Sequence, residues 1–536
     1  MRSQILLSIA LFIVGVVEES NTANILGVFY FNGRSHFIMF ESLMKGLAAR
    51  GHNVYVIGHF PQKTPIHNYT DISVEDSLPK MLNQISVDYF RKYGQLTVLD
   101  FIFRHTMDVC ETVLKHPNVQ KFLEENDNFD VVISEVLGPD CAIGLAHRYN
   151  VPFIGMTSSV SFPWGSDRVG TPDHPAYISN YFLPFNSHMN LGERIINTVV
   201  NQAIKIGYDF FVDSRIDELL KKYHGEDIPP ITQLKKNISL LLVNSHYSLN
   251  GVRPTVPAFV EVGGIHIQQN GELPKNLPLP ATQEVLDSSS GVTPCIIMKN
   301  DGVLYPQVSS FSPEGWTKVV REGGPRLPSA LEDLKTYMDE AKQGIVYFSF
   351  GSLVKGETMP DEMIQVFISV FAKIPQLVIW KIGNINGLPS NVLASEWFPQ
   401  FEILSHPNVR AYITHGGLMG TQEAVFAGVP MVGIPLFADQ ELNLQNCASK
   451  GVAVNVPYDD ISRESVSKAL KEVLHNPSYW ENAKLLSRQF RDRPQSALET
   501  AVYWTEYVIR HRGAPHMRSA ALDLPLYQYL LLDVIA

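Results

Sequence analysis

The sequence of 536 residues predicts an α/β protein made of two doubly wound, Rossmann-like domains. Three observations carry that prediction. Apolar runs of strand length alternate with amphipathic helical stretches from Ile25 onward. The alternation lapses in a long aperiodic segment and resumes at Ile345. In the second half, a strand, a glycine turn and a helix follow one another around His415-Gly416-Gly417.

Residues 25–31 are an unbroken apolar run and read as a buried strand. The loop Asn32-Gly33-Arg34-Ser35-His36 follows. A helix over 37–50 sets Phe40, Leu43, Met44 and Leu47 on one face and stops at Gly51. A strand at 54–57 completes a βαβ opening, which places His36 at the C-terminal edge of the first strand. Residues 60–125, with Pro61, Pro65 and Pro79, are less regular. A strand at 129–134 ends at Glu135, and a helix over 139–149 and a strand at 152–156 continue the pattern. Residues 160–190, rich in proline and aromatics, read as a long loop region. Two helices follow near 192–212 and 213–223. Strands at 240–244 and 259–267 complete a first domain assigned to 24–267.

The segment 268–342 reads as an atypical insertion and linker. Leu279-Pro280 and Leu327-Pro328 each open a similar short helical pattern, and 291–326 shows no clear period. Structureless stretches of this length are unusual inside a domain. The segment is either a disordered surface insertion or translated non-coding sequence, with the second favoured; neither makes it a functional site. The second domain, 343–493, opens with a strand at 345–350 and a Gly351-Ser352 turn, and has a further strand at 377–382. A helix over 494–512 closes it, its last part crossing back to the first domain, and leads into the terminal 494–536 stretch.

Composition is ordinary for two globular cores, 45% hydrophobic and 18% charged. A net charge of −11 argues against a nucleic-acid partner. Arg2 followed by the apolar run 5–17 reads as a signal peptide over 1–23, too short for the ~20 residues that cross a bilayer. Secretory entry gives meaning to the sequons Asn68-Tyr69-Thr70 and Asn237-Ile238-Ser239. Cys110, Cys141, Cys295 and Cys447 lack metal-site spacing and are too few for a disulfide scaffold. Cys141 and Cys447 read as buried thiols. His105, His147 and His475 read as surface or core histidines.

The densest chemistry lies in 397–440, WFPQFEILSHPNVRAYITHGGLMGTQEAVFAGVPMVGIPLFADQ. Trp397 offers a flat face for a base, and the backbone beside it, at Phe398, can read a base edge. A strand at 409–414 runs through the glycine turn into a helix that starts near Gly420 and carries Glu423. The first N–H groups of a helix have no intrahelical partner, so this is a ready anion site. Gly416 and Gly417 let backbone approach a phosphate. His415 can donate to a phosphate oxygen, and Glu423 can accept from ribose hydroxyls. A second strand at 429–435 leads to Asp439-Gln440, at the sheet edge where α/β proteins bind ligands. These two suit sugar hydroxyls. The plainer alternatives are core filling for Trp397 and helix capping for Asp439.

The spacing of Trp397, Gln400, His415, Glu423, Asp439 and Gln440 closely resembles the signature of the UDP-glycosyltransferases, which move sugars from UDP-sugars to small acceptors. The resemblance extends over nearly the whole chain except 268–342. It implies the GT-B architecture, two such domains facing across a cleft. It implies a UDP-sugar co-substrate, UDP-glucose first and UDP-glucuronate as the alternative, with no prosthetic group and no metal. Ser352, Trp397, Phe398, Gln400, His415, Gly417, Met419, Gly420, Glu423, Asp439 and Gln440 would hold the donor. Met419 and Gly420 stand where the family often has Ser or Asn, so backbone N–H groups must substitute. His36, in GRSHF, matches the catalytic base. Glu135 matches the family's aspartate, yet Asp140 is an equal candidate for the base's partner. The implied chemistry is a single inverting displacement on a small lipophilic acceptor. Irregular residues of the first domain would shape the acceptor pocket. The class-level alternative is a non-catalytic lumenal binding protein. Family members are membrane-anchored in the endoplasmic reticulum. This chain stops at Ala536 where the anchor would begin, which reads as a soluble lumenal form or a truncation. Membrane contact near 192–223 and homo-oligomerisation are further expectations.

Overall fold

Seven parallel strands form the first sheet in the order β3-β2-β1-β5-β6-β7-β8. They are β1 (Asn24–Phe29), β2 (Asn53–Gly58), β3 (Tyr69–Ser73), β5 (Val131–Glu135), β6 (Phe153–Thr157), β7 (Ile238–Val243) and β8 (Phe259–Glu261). Six parallel strands form the second, in the order β12-β11-β9-β13-β14-β15. They are β9 (Ile345–Ser349), β11 (Leu377–Lys381), β12 (Val392–Ser395), β13 (Val409–Thr414), β14 (Met431–Gly433) and β15 (Ala453–Asn455). β5, β6 and β9 are buried at every position, as strands covered on both faces must be, which is why their sequences are near-continuous apolar runs. This computed structural model describes residues 22–87, 89, 94–267, 332–383, 385–529 and 531–535. The leader up to residue 21, the insertion over 268–331 and Cys295 lie outside them.

Helix α1 (Arg34–Ala49) starts earlier than predicted, because Gly33 takes the extended N-cap conformation and Arg34 is already helical. His36 therefore sits in the first turn of a helix, not in a loop. Phe37, Phe40, Leu43, Met44 and Leu47 of α1 are buried against the sheet. The two helices predicted near 192–223 are one rod: α2 (Leu191–Tyr208) runs through a π-helical turn at Asp209–Asp213 into α3 (Ser214–His224). A capping box of Asn190 and Glu193 fixes its start.

Between the sheets, β4 (Ile85–Ser86) pairs in parallel with β10 (Val354–Lys355), joining the two halves. Two-residue strands leave no periodicity, so neither β4, in the irregular region 60–125, nor β10, after the Gly351-Ser352 turn, was legible in the sequence. Helix α4 (Glu332–Glu340), inside the segment predicted to be inserted, buries Leu334 and Met338 in the second core. The chain crosses back earlier than predicted. All of α7 (Ala497–Arg510), beginning with Ala497, belongs to the first core, where Leu498 and Val502 pack beside Gly46. One cysteine reading is corrected. Cys110 and Cys141 are disulfide-bonded with their Cα atoms 6.6 Å apart, a pairing of residues distant in sequence that spacing alone could not reveal. Cys447 is a buried free thiol, pushed up to about 12 by burial.

Candidate active site

In both sheets the strand order reverses direction beside the first strand laid down: between β1 and β5, and between β9 and β13. Such switch points open a crevice at the C-terminal strand ends, where doubly wound folds bind ligands. His36 follows β1 and Glu135 ends β5, so they meet at the first switch point. His36 Nδ1 lies 2.5 Å from Glu135 Oε1, and Ser158 Oγ lies 2.8 Å from the same nitrogen. A carboxylate only accepts, so the Nδ1 proton is donated to Glu135 and Nε2 is left with its lone pair. Asp140 is elsewhere: it forms a buried ion pair with Arg168 at 2.7 Å, and its carboxylate is committed to neutralising that guanidinium. Burial works against the Arg168 charge, and Asp140, Tyr208, Asp213 and Asp167 together more than offset it. The choice left open by the sequence is thus resolved geometrically: Glu135, not Asp140, contacts His36.

At the second switch point, Gly351 and Ser352 follow β9 and His415 follows β13. A Cβ on Gly351 would lie 2.6 Å from His415 Cε1, and one on Gly417 would lie 2.7 Å from Nε2. The imidazole is therefore clasped between two glycines, which is the steric reason for both. Its Nδ1 is buried with no hydrogen-bond partner among the described residues. Burial, with Lys381 adding to it, pushes His415 down to about 3, so it is a neutral donor and acceptor at physiological pH. Helix α5 (Leu418–Ala427) begins immediately after, at an N-cap glycine with no side-chain cap, so its first N–H groups stay available to an anion. Met419 packs toward the first core, and a Cβ on Gly420 would press on Gln400 Nε2 at 3.0 Å and the Tyr412 hydroxyl at 3.1 Å. The glycine at 420 makes room for those groups.

Gln400 turns out to hold a neighbour. Its Nε2 donates to Glu423 Oε2 at 2.7 Å, while its Oε1 accepts from the Tyr412 and Tyr347 hydroxyls. Glu423 is held by the Gln400 amide, and the buried His266 ring lies on its other side with Nε2 3.6 Å from Oε1. Trp397 is 53% exposed and is no core filler, whereas Phe398 beneath it is buried. Asp439 is the N-cap position of helix α6 (Gln440–Ser449) but makes no side-chain capping bond there. Burial pushes its carboxyl up to about 6, against the pull of Asn443 and of His36 across the cleft. The Gln440 side-chain oxygen accepts from the backbone N–H groups of Leu436 and Phe437, ordering the loop before it. Ala438 in that loop has φ of 57°, a left-handed strain that occurs where backbone is over-determined. Its carbonyl accepts from Gln95 of the first half.

Lys381, at the end of β11, was missed by sequence reasoning because it reads as the polar stop of an apolar strand. Its Nζ donates to Gly351 O at 2.6 Å and to Asn83 Oδ1 at 3.0 Å, the latter from the other half of the molecule. Burial pushes this ammonium down to about 8. An arriving diphosphate would favour its charged form. Substituting Gly351 by alanine is expected to disrupt this cradle: its φ of 77° alone costs an L-residue about 1–2 kcal/mol, and the new methyl must displace His415. UDP titration against the folded variant checks this. Wild-type affinity would exclude His415 from the anion site.

Two Rossmann-like halves, with the His36–Glu135 contact at one switch point and the glycine-clasped His415 at the other, have the GT-B fold of glycosyltransferases. The chain belongs to the UDP-glucoronosyl and UDP-glucosyl transferase family, whose sequence profile matches residues 21–284 and 325–536. It is 37% identical over 534 residues to UDP-glucosyltransferase 2 of Dactylopius coccus, covering 99% of this chain and 92% of that one. To the human UDP-glucuronosyltransferase 2B15 it is 29% identical, covering 94% and 87%. In fold it is similar to the crystal structure of the glycotransferase of kitacinnamycin, with a TM-score of 0.54 at 18% identity over 91% of this chain and 98% of that one. The protein is an enzyme of UDP-sugar-dependent glycosyl transfer.

Proposed function

We propose that the enzyme transfers glucose from UDP-glucose to a hydroxyl of a small lipophilic acceptor, by one displacement that inverts the anomeric carbon. The observation that carries this is the contact of His36 Nδ1 with Glu135 Oε1 at 2.5 Å, which leaves Nε2 with its lone pair at the end of the first sheet. A base on one side and a leaving-group cradle on the other suit in-line attack. His36 takes the acceptor proton at Nε2, and Glu135 stabilises the imidazolium that forms. His415, Ser352 and the N-terminus of α5 meet the charge developing on the diphosphate. Glu423 binds the ribose, Trp397 stacks on the base with the Phe398 backbone beside it, and Asp439 and Gln440 bind the sugar. Glucose is put first because the relative of 37% identity is named for glucosyl transfer.

The test is UDP release by the purified chain with UDP-glucose or UDP-glucuronate and a panel of phenols and lipophilic alcohols. Acceptor-dependent release with UDP-glucose is expected. UDP binding without release from either donor would overturn catalysis in favour of a lumenal binding protein. Release with UDP-glucuronate alone would overturn the sugar.

We place the enzyme in the lumen of the secretory pathway, at a membrane surface. The Cys110–Cys141 bond supports an oxidising compartment. Helix α2 and the π-helical turn after it carry an outward apolar ridge: Asn197 and Asn201 are buried in hydrogen bonds to Asn180, Pro175, Ile178 and Asp173, while Ile195, Ile196, Val199 and Ile206 of the helix and Phe210 and Phe211 of the turn are exposed at 49% or more. An outward apolar ridge of this kind suits the acyl boundary of a bilayer. No helix among the described residues is long and apolar enough to cross one. Val199→Glu with Ile206→Glu is expected to abolish flotation with phosphatidylcholine vesicles while leaving turnover on a soluble acceptor intact. Unchanged flotation would remove this face from membrane contact.

A further inference from the structure

We propose that Ser158 is a positioning residue for the His36–Glu135 pair, and that Asn244 and Gln422 tie it to the helix carrying Glu423. The inference rests on His36 being the base, as read above. Ser158 directly follows β6, the neighbour of β5, so its hydroxyl arrives beside the end of β5. Its Oγ is 2.8 Å from His36 Nδ1 and 3.1 Å from Glu135 Oε1. The hydroxyl donates to the carboxylate and shares the Nδ1 proton, so three groups converge on one point. Glu135 needs this second tether. Its Oε2 is buried without a hydrogen-bond partner among the described residues, so Oε1 carries every bond that orients the carboxylate. A glutamate also has one more rotatable bond than an aspartate to restrain.

Ser158 is itself held from the far side. Asn244, buried just beyond the end of β7, donates from Nδ2 to the Ser158 carbonyl at 2.7 Å. The Asn244 carbonyl accepts from Gln422 Nε2 at 3.1 Å, and Gln422 Oε1 accepts from the Gly264 N–H at 3.0 Å. Gln422 is fully buried in α5, one residue before Glu423. Both ends of its amide therefore grip the first half of the molecule. A continuous set of hydrogen bonds runs from the donor-binding helix to the catalytic pair, so the base is aligned when α5 is seated.

The test compares Ser158→Ala, Asn244→Ala and the double variant with wild type and His36→Ala, using full-length chain and UDP-sugar turnover. Rates are referred to the concentration of UDP-binding protein, so a folding defect does not enter. Ser158→Ala is expected to lower kcat about 10–100-fold, the worth of one hydrogen bond to a charged group, with KM for the UDP-sugar unchanged and the acid limb of the pH–rate profile displaced. The double variant is expected to lose no more than Ser158→Ala, because both substitutions break one series of bonds. Wild-type kcat in Ser158→Ala, or a loss confined to KM, overturns the positioning role. Strictly additive losses overturn the link to α5. An active His36→Ala would instead overturn the reading of the base, which keeps the two failures distinct.

Discussion

Replacing His36 by alanine is expected to lower kcat by about 10²–10⁴-fold, the usual contribution of a positioned general base, while UDP affinity stays at the wild-type level. The separation follows from the architecture. His36 belongs to the first switch point, and the groups that form the anion cradle, His415 and the start of α5, belong to the second. Glu135→Gln should reproduce part of the loss. The amide keeps the length of the side chain and can still reach Nδ1 from 2.5 Å, but it removes the charge that stabilises the imidazolium. Glu135→Asp should also be impaired, since a side chain shorter by one methylene must leave Ser158 or His36 unpaired. Steady-state UDP release against acceptor concentration, together with direct UDP titration, measures both quantities. Turnover of His36→Ala at the wild-type rate would exclude the proposed chemistry.

Asp439→Asn is expected to produce a more stable and less active enzyme. The Asp439 carboxyl, ordinarily near 3.8, is pushed up to about 6 in the fold, chiefly by burial. The sign follows from linkage. Below pH 4 both the folded and unfolded chains hold this proton and nothing is lost. As pH rises toward 6 the unfolded chain releases it first, and stability falls until the folded group ionises too. Above that point the cost is complete, at about 3 kcal/mol for a shift of this size. Asparagine carries no such cost. Its stabilising effect should be largest at pH 7–8 and vanish near pH 4, which thermal melts across that range would show. Turnover should fall about 10–100-fold, because a charged acceptor for the sugar hydroxyls is lost. This is the usual exchange between stability and function at a site that buries a carboxylate before its ligand arrives. A variant less stable than wild type at pH 7 would refute the assignment.

Much of where these candidate residues sit was legible beforehand, and the reason differs by residue. His415, Gly416, Gly417 and Glu423 are neighbours in sequence because the strand–turn–helix unit that holds them is itself local. Trp397 and Asp439 sit at element ends within the same stretch. The roles inside the cradle were less legible. Gln400 was expected at the nucleotide, and the structure adds that its amide bonds Glu423 and two tyrosine hydroxyls. Which of several polar side chains faces the ligand, and which supports another, depends on contacts between elements.

The sequence by itself determined most of the central strands, the two alternating α/β halves, the glycine turns and the candidate base. These are written in periods of a few residues and in the conformational freedom of single glycines, both local properties of the chain. Tertiary structure alone decided the partners. Glu135 over Asp140, Lys381 against Gly351 and Asn83, Ser158 beside His36, the Cys110–Cys141 bond and the inverted face of α2 each depend on segments far apart in sequence. Parallel sheets impose that separation, because each crossover carries the chain across a helix before the next strand pairs. Residues that meet at a switch point are therefore distant along the chain, and only the strand order brings them together.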